Sequence, residues 1–286
     1  MIFQTLRRYA SFVKFPHTVF AMPFALTAWF YAVRTAGFDG WLLAKVLLCM
    51  VFARNAAMGF NRWADRDIDA VNPRTAGREI PRGTIAPKNA LGFVVVNALL
   101  FIAAAVWINP LCGMLSPVAL AVILGYSLTK RFSWLCHLFL GLSLAIAPAG
   151  AYIAVTGTLA WVPVVLSALV FTWSSGFDVI YSLQDLEFDR EHGINSMPAH
   201  LGAQGSLAVS AGLHLLTAVL ALWLSFAFGN GLLTRIGTGL FIALLAYQHV
   251  IVGPGRLYCV NLAFGTLNGI ASVVYAAFVI LGLYFG

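Results

Sequence analysis

The chain has 286 residues, 61% of them hydrophobic and only 9% charged, with a net charge of +7. Soluble domains carry about a quarter charged residues, so this composition excludes a water-soluble fold and requires a bilayer, which takes roughly 20 apolar residues per spanning helix. Nor does the basic excess indicate nucleic-acid binding, because Lys and Arg gather at the ends of apolar stretches, where anionic lipid accounts for them.

In chain order, Arg7 and Arg8 precede an apolar stretch near 17–36. It is too long for a signal-peptide core and lacks a small-residue cleavage site, so it is expected to persist as the first helix. Further apolar stretches follow near 41–60, 90–108, 111–128, 136–155, 161–183, 206–228, 233–252 and 259–284. The prediction is an all-α polytopic membrane protein of nine spanning helices, one domain over 1–286. Asn109–Pro110, Thr156–Gly157 and Gly229–Asn230 predict tight turns, whereas 61–89 and 184–205 predict long polar loops. The span at 233–252 is the least apolar because it holds Arg235, Gln248 and His249.

With the N-terminus inside, all Lys and Arg except Arg34, Lys45 and Arg235 fall on one face, as do all acids except Asp39. Loops rich in Lys and Arg stay in the cytoplasm, so a multi-pass inner-membrane protein is expected, with its N-terminus and both long loops cytoplasmic. Cys49, Cys112, Cys136 and Cys259 are scattered through apolar spans without paired spacing, and read as packing thiols. His17, His137, His214 and His249 lie in or near spans and read as packed or interfacial side chains.

Two acidic clusters stand apart. Asn61, Asp65 and Asp69 are spaced i, i+4, i+8 at the end of the second helix and stack on one face if that helix continues. Arg54, two turns earlier, shares roughly the same face. Asp178, Asp185 and Asp189, at i, i+7 and i+11, share a face at the end of the sixth helix, with Tyr181 beside Asp178 and Phe177, Ile180 and Phe188 on other faces. Polar helix ends at a membrane surface would explain either cluster alone. Two clusters on one side, each with a D-x-x-x-D pair and each beginning inside an apolar helix, point instead to function, since ionisable groups at membrane depth are costly.

Diphosphate handling needs such an arrangement. Carboxylate-rich oxygen sites suit Mg²⁺, which keeps some waters and takes one or two carboxylates plus phosphate oxygens. Metal ions held by such clusters would clamp a diphosphate and neutralise the charge that grows as its C–O bond breaks. Arg74, Arg78, Arg82, Lys130 and Arg131 are candidates for direct phosphate contact as well as topology anchors. Each acidic cluster leads into a comparable loop, Asn72 to Gly83 and Gly193 to Pro198, so the second site reads as a diverged copy of the first. Four helices around each, plus a ninth, would make two quasi-equivalent halves.

The runs Asn61-x-x-x-Asp65-x-x-x-Asp69 and Asp185-x-x-x-Asp189 resemble the two Asp-rich motifs of the UbiA family of intramembrane aromatic prenyltransferases. Lys14-Phe-Pro16-His17-Thr18 and Tyr126-Ser-Leu-Thr-Lys130-Arg131-Phe match its pattern too, and the similarity covers essentially the whole chain. The resemblance implies nine helices around a central cavity, a cytoplasmic cap made by the two long loops, and a lateral opening to lipid. It implies Asn61, Asp65, Asp69, Asp185 and Asp189 as ligands of Mg²⁺ and the diphosphate. Arg74, Arg78 and Lys130 would contact diphosphate, Tyr126 would line the cavity, and Asp67 and Glu187 would support the motifs.

The chemistry implied is ionisation of an allylic polyprenyl diphosphate, shielding of the cation by aromatic side chains, and attack by an electron-rich ring carbon. Asp178 is then a candidate general base or partner of the acceptor hydroxyl. The stretch from Phe177 to Gly193, with Arg54 and Asn61-Arg62, looks most like the 4-hydroxybenzoate polyprenyltransferase branch, some members of which serve the futalosine route to menaquinone. The expected partners are a polyprenyl diphosphate, membrane lipid, and 4-hydroxybenzoate or 1,4-dihydroxy-6-naphthoate, with Arg54 facing the acceptor carboxylate. Other acceptors in the family are haem, a chlorin and homogentisate. A secondary transporter is the rival from another class, although transporter sites lie near the bilayer midplane whereas these acids lie at one surface.

Overall fold

A computed structural model describes residues 8–13, 20–253 and 255–286. Expectations attached to Arg7, to Lys14, Pro16, His17 and Thr18, and to the start of the first span lie outside the described residues. All regular structure among the described residues is helical. The elements are α1 (Met22–Ala36), α2 (Gly40–Ala64), α3 (Arg66–Val71), α4 (Pro87–Ile108), α5 (Pro110–Thr129), α6 (Cys136–Thr156), α7 (Trp161–Ser182), α8 (Leu186–Glu191), α9 (Met197–Ala227), α10 (Leu232–Ile251) and α11 (Asn268–Phe285).

Seven of these helices, some with a short extension, are long and apolar enough to cross a membrane by length and composition: α2, α4, α5, α6, α7, α9 and α11. Two predicted spans fall short of that measure. The described part of α1 has 15 residues, and α10 loses apolar character to Arg235, Gln248 and His249.

The tight turns appear where expected. Asn109 caps the start of α5 by accepting the Cys112 N–H at 2.8 Å, and Gly157 ends α6 at φ 68°, a left-handed conformation that favours glycine. The long polar loops are shorter than predicted, because α2 runs to Ala64 and α3 follows at once, leaving 72–86 as the first loop. In the second, a 3₁₀ turn (Leu183–Asp185) and α8 take up the beginning, and α9 starts at Met197 rather than near 206. Ser196 starts α9 by accepting the Ala199 N–H, and Gly202, at φ 70°, breaks the helix before its long apolar part.

The helices fall into two compact units, α2 to α5 in the first and α1 with α6 to α11 in the second. The expected grouping of four helices per half is corrected here, since α1 belongs with the second unit, where it packs on α6 and α11.

In the first unit α2 packs along α4. Asn55 donates to Asn97 at 3.0 Å, and Gly59 lies against Val94 and Phe93 with no room for a Cβ. In the second unit α7 is the centre, flanked by α6 and α9. Gly141 admits Ser175, Gly176 admits His214, and Thr172 bonds Thr217 at 2.8 Å. Small residues at close helix crossings and side-chain hydrogen bonds between helices are how apolar helices associate in lipid, where no water-driven burial acts between them.

The approach to α11 departs from prediction: Leu262–Leu267 is a π-helix. Asn268 donates to the carbonyls of Ala263 and Phe264 there, while Trp173 and Gln248 donate to its own oxygen.

Candidate functional site: two acidic turns

In the first unit the polar stack continues across the α2–α3 junction. The Asp65 N–H donates to Asn61 O at 3.0 Å and the Asp69 N–H to Asp65 O at 2.8 Å, so Asn61, Asp65 and Asp69 keep helical register. Asp65 occupies the N-cap of α3 at φ −91°, ψ 2°. Asn61 Nδ2 donates to Asp65 Oδ2 at 3.1 Å. Both Asp65 and Asp69 are buried. Arg78 Nη1 reaches both oxygens of Asp69 at 2.8 Å, bridging the carboxylate. Thr75 Oγ1 donates to Asp69 O at 3.2 Å and tethers the loop that carries Arg78.

Other side chains of this unit are placed as follows. Arg74 is exposed, its N–H donating to Asn72 Oδ1 at 2.9 Å. Arg54 lies inward on α2 with a buried Nε and makes no ion pair among the described residues, Tyr126 being its electrostatic neighbour. Asp67 projects outward at 80% side-chain exposure beside Arg66. The loop is also held by an Arg62–Glu79 ion pair at 3.7 Å, Ser11 donating to Glu79 at 2.7 Å.

The second unit repeats the device. Asp185 sits at the N-cap of α8 at φ −104°, ψ 6°, and Asp189 is buried four residues on. Asp189 bonds Ser196 and lies within electrostatic reach of Asp185, Lys130 and His137. The predicted continuous face from Asp178 to Asp189 is interrupted, because the 3₁₀ turn Leu183–Asp185 winds tighter than an α-helix and shifts the phase.

Upstream, the stretch of α7 from Leu169 to Ile180 is buried except at Phe171 and Asp178, which with Tyr181 and Ser182 form a stripe that is not fully covered. Tyr181 stacks on Phe264 with centroids 4.0 Å apart, which places the π-helical segment beside the stripe. Asp178 Oδ2 bonds His137 Nδ1 at 2.7 Å.

The chain matches the UbiA prenyltransferase family over residues 21–257. It therefore belongs to that family. A similar curated protein, the 4-hydroxybenzoate octaprenyltransferase of Vibrio campbellii, is 29% identical over 64% of this chain, which spans 65% of that protein's length. The apo structure of a UbiA homolog from Aeropyrum pernix K1 superposes with a TM-score of 0.84 at 32% identity, covering 93% of this chain and 97% of its own. A UbiA homolog from Archaeoglobus fulgidus, solved bound to DMAPP and Mg²⁺, shares the fold at a TM-score of 0.76 and 20% identity over 98% of this chain and 100% of its own. All-helical architecture, membrane-crossing helices and family thus agree.

Whether the acidic turns suit Mg²⁺ depends on their donors. No group of three or more His, Cys, Asp or Glu side chains among the described residues is arranged to hold a metal by itself. Oxygen pairs such as Asp65 with Asp69, and Asp185 with Asp189, fit a cation that takes one or two carboxylates and completes its shell with water and phosphate oxygens. Soft-ligand metals find no matching set in either turn.

Two residues of this UbiA-family chain do more than their sequence pattern conveys. His137 read as packing, yet it bonds Asp178. Ser196 reads in the sequence only as part of a loop, yet it caps α9 and bonds Asp189. One signal was available: Asp178, inside an apolar helix, required a polar partner.

Proposed function

We propose that the chain transfers a polyprenyl group from an allylic polyprenyl diphosphate to a ring carbon of a small hydroxylated aromatic acid, either 4-hydroxybenzoate or 1,4-dihydroxy-6-naphthoate. The observation that carries this reading is the repeated acidic turn, an Asp at the N-cap of a six-residue helix with a second Asp buried four residues on, found in both units. The Vibrio campbellii relative, named for 4-hydroxybenzoate, supports the acceptor class, and the Archaeoglobus fulgidus structure with DMAPP and Mg²⁺ supports the donor and the metal.

Asn61, Asp65, Asp69, Asp185 and Asp189 would hold Mg²⁺ and, with it, the diphosphate. Bound there, Mg²⁺ offsets the negative charge that develops on the leaving diphosphate. Arg74, Arg78 and Lys130 would add donors to the phosphate oxygens, Arg78 exchanging its place on Asp69 for one on phosphate. Tyr126 and Tyr181 would flank the allylic cation, whose charge the aromatic faces stabilise. A new bond then forms between the allylic carbon and the ring carbon, and the ring proton leaves to a base, for which Asp178 is the candidate. Arg54, with a buried Nε and no ion pair among the described residues, would receive the acceptor carboxylate.

An inner membrane location with the N-terminus and acidic turns in the cytoplasm completes the proposal, on the strength of the Lys and Arg distribution. Seven or nine crossings both place the C-terminus on the opposite face, which terminal reporters test. Incubating the purified protein with Mg²⁺, a polyprenyl diphosphate and each acid in turn, and following product mass, tests the function. A prenylated acid is the expected product. Prenylation of haem or a chlorin but of neither acid would overturn the acceptor assignment.

A further inference from the structure

We infer that His137 is a positioning residue that fixes the aim of Asp178, so that the second carboxylate oxygen is presented to the hydroxyl of the aromatic acceptor. The inference deepens the proposed function and rests on it for the identity of the acceptor. His137 is clamped at both ring nitrogens. Its Nε2 faces the Met197 N–H at 3.4 Å, and its Nδ1 faces Asp178 Oδ2 at 2.7 Å. A backbone N–H can only donate, so Nε2 carries the lone pair and the proton resides on Nδ1. The ring is therefore the neutral Nδ1–H tautomer, donating to the carboxylate.

The clamp is built, not incidental. Asn195 N–H donates to Lys130 O at 3.1 Å and Cys136 Sγ to Asn195 O at 3.5 Å, so the residue two before α9 is tied both to the segment after α5 and to the first residue of α6, next to His137. Met197 N–H belongs to the first turn of α9, where backbone donors have no partner within the helix.

The carboxylate end is different. The His137 side chain is 6% exposed, whereas Asp178 keeps 18%. From Thr172 to Ile180 every other residue of α7 is buried. A carboxylate serving packing alone would have both oxygens satisfied, because an unmet buried acceptor costs about 1–3 kcal/mol. Asp178 has one partner among the described residues, bonded through Oδ2, and lies on the incompletely covered stripe shared with Tyr181, which leaves its other oxygen for a ligand. This is the arrangement of an oriented acceptor, a third group holding the acid as in catalytic triads. A phenol O–H donating to that oxygen would gain electron density on its ring, which is what attack on an allylic cation demands.

The test compares His137→Phe, which keeps the ring shape and removes both nitrogens, with His137→Asn, whose amide nitrogen stands two bonds from Cβ as Nδ1 does. We expect His137→Phe to lower kcat/KM for the acceptor about tenfold or more, the worth of one hydrogen bond to a charged group, with KM for the polyprenyl diphosphate essentially unchanged. His137→Asn should recover most of that loss. Because His137 acts through Asp178, the double variant with Asp178→Asn should be no worse than Asp178→Asn alone. Wild-type kinetics in His137→Phe, equal damage to both substrates, or additive losses in the double variant would each overturn the inference. A second measurement needs no turnover: ¹⁵N NMR of the imidazole-labelled protein, with the His137 signals assigned by their loss in His137→Phe, should show the Nδ1–H tautomer, and an Nε2–H tautomer would overturn it. If wild-type protein prenylates neither acid, the acceptor reading fails while the NMR result still decides the clamp.

Discussion

The two acidic turns share a backbone but differ in what surrounds them. Asp65 and Asp185 stand at the N-cap positions of short helices at nearly the same dihedral angles, and Asp69 and Asp189 are buried one turn later. Around Asp69 the protein places a guanidinium that bridges both oxygens, delivered by a tethered loop. Around Asp189 it places a hydroxyl, with Lys130 and His137 further off. The turn is common to both units while its polar surroundings differ, a guanidinium bridging Asp69 in the first and a Ser196 hydrogen bond reaching Asp189 in the second.

The largest effects should come from the carboxylates themselves. Asp65→Ala, Asp69→Ala, Asp185→Ala and Asp189→Ala should each lower turnover by about a hundredfold or more, the scale of removing a preorganised charge-stabilising group, with membrane insertion retained. If any two kept near-wild-type turnover, both turns could not be part of one machinery. Chelation of Mg²⁺ should produce a comparable loss that added Mg²⁺ reverses, and full activity in chelator would break the metal reading.

Next in size is the asymmetry of countercharge. Arg78→Ala strands a buried carboxylate and should lower thermal stability measurably in detergent, since breaking a buried pair costs up to about 3–5 kcal/mol and this pair is partly exposed. Lys130→Ala, which removes a cation within electrostatic reach of Asp189, should lower stability less than Arg78→Ala while still weakening diphosphate binding. Equal melting shifts for the two would erase the contrast. The smallest effect belongs to the exposed acids between motif positions: Asp67→Ala and Glu187→Ala should both stay within about 0.5 kcal/mol in stability and close to wild type in turnover.

These contrasts also mark what the sequence could convey. Spacing of four residues on a helix placed Asn61, Asp65 and Asp69 together because the backbone bonds continue through Asp65. The same reasoning misjudged the second cluster, since nothing local to Leu183–Asp185 announces a 3₁₀ turn. Helix existence followed from apolar length, but α10 shows how three polar residues blur a span, and α1 joined the second unit through packing that no local pattern records. The His137–Asp178 bond links residues 41 positions apart. Its need was legible in Asp178, its partner was not. The π-helix before α11 was equally hidden, because its stabiliser, Asn268, gathers donors from α7 and α10.

The proposed function has both turns act on one diphosphate, and a double-mutant cycle tests that proposal most directly. Single-turnover rates of Mg²⁺-dependent prenyl transfer would be measured for wild type, Asp65→Asn, Asp185→Asn and the double variant. Groups working as a unit lose little more together than either loses alone, so the account predicts a double variant about as slow as the slower single one. Losses that multiply, or a single variant with wild-type rate, would contradict it.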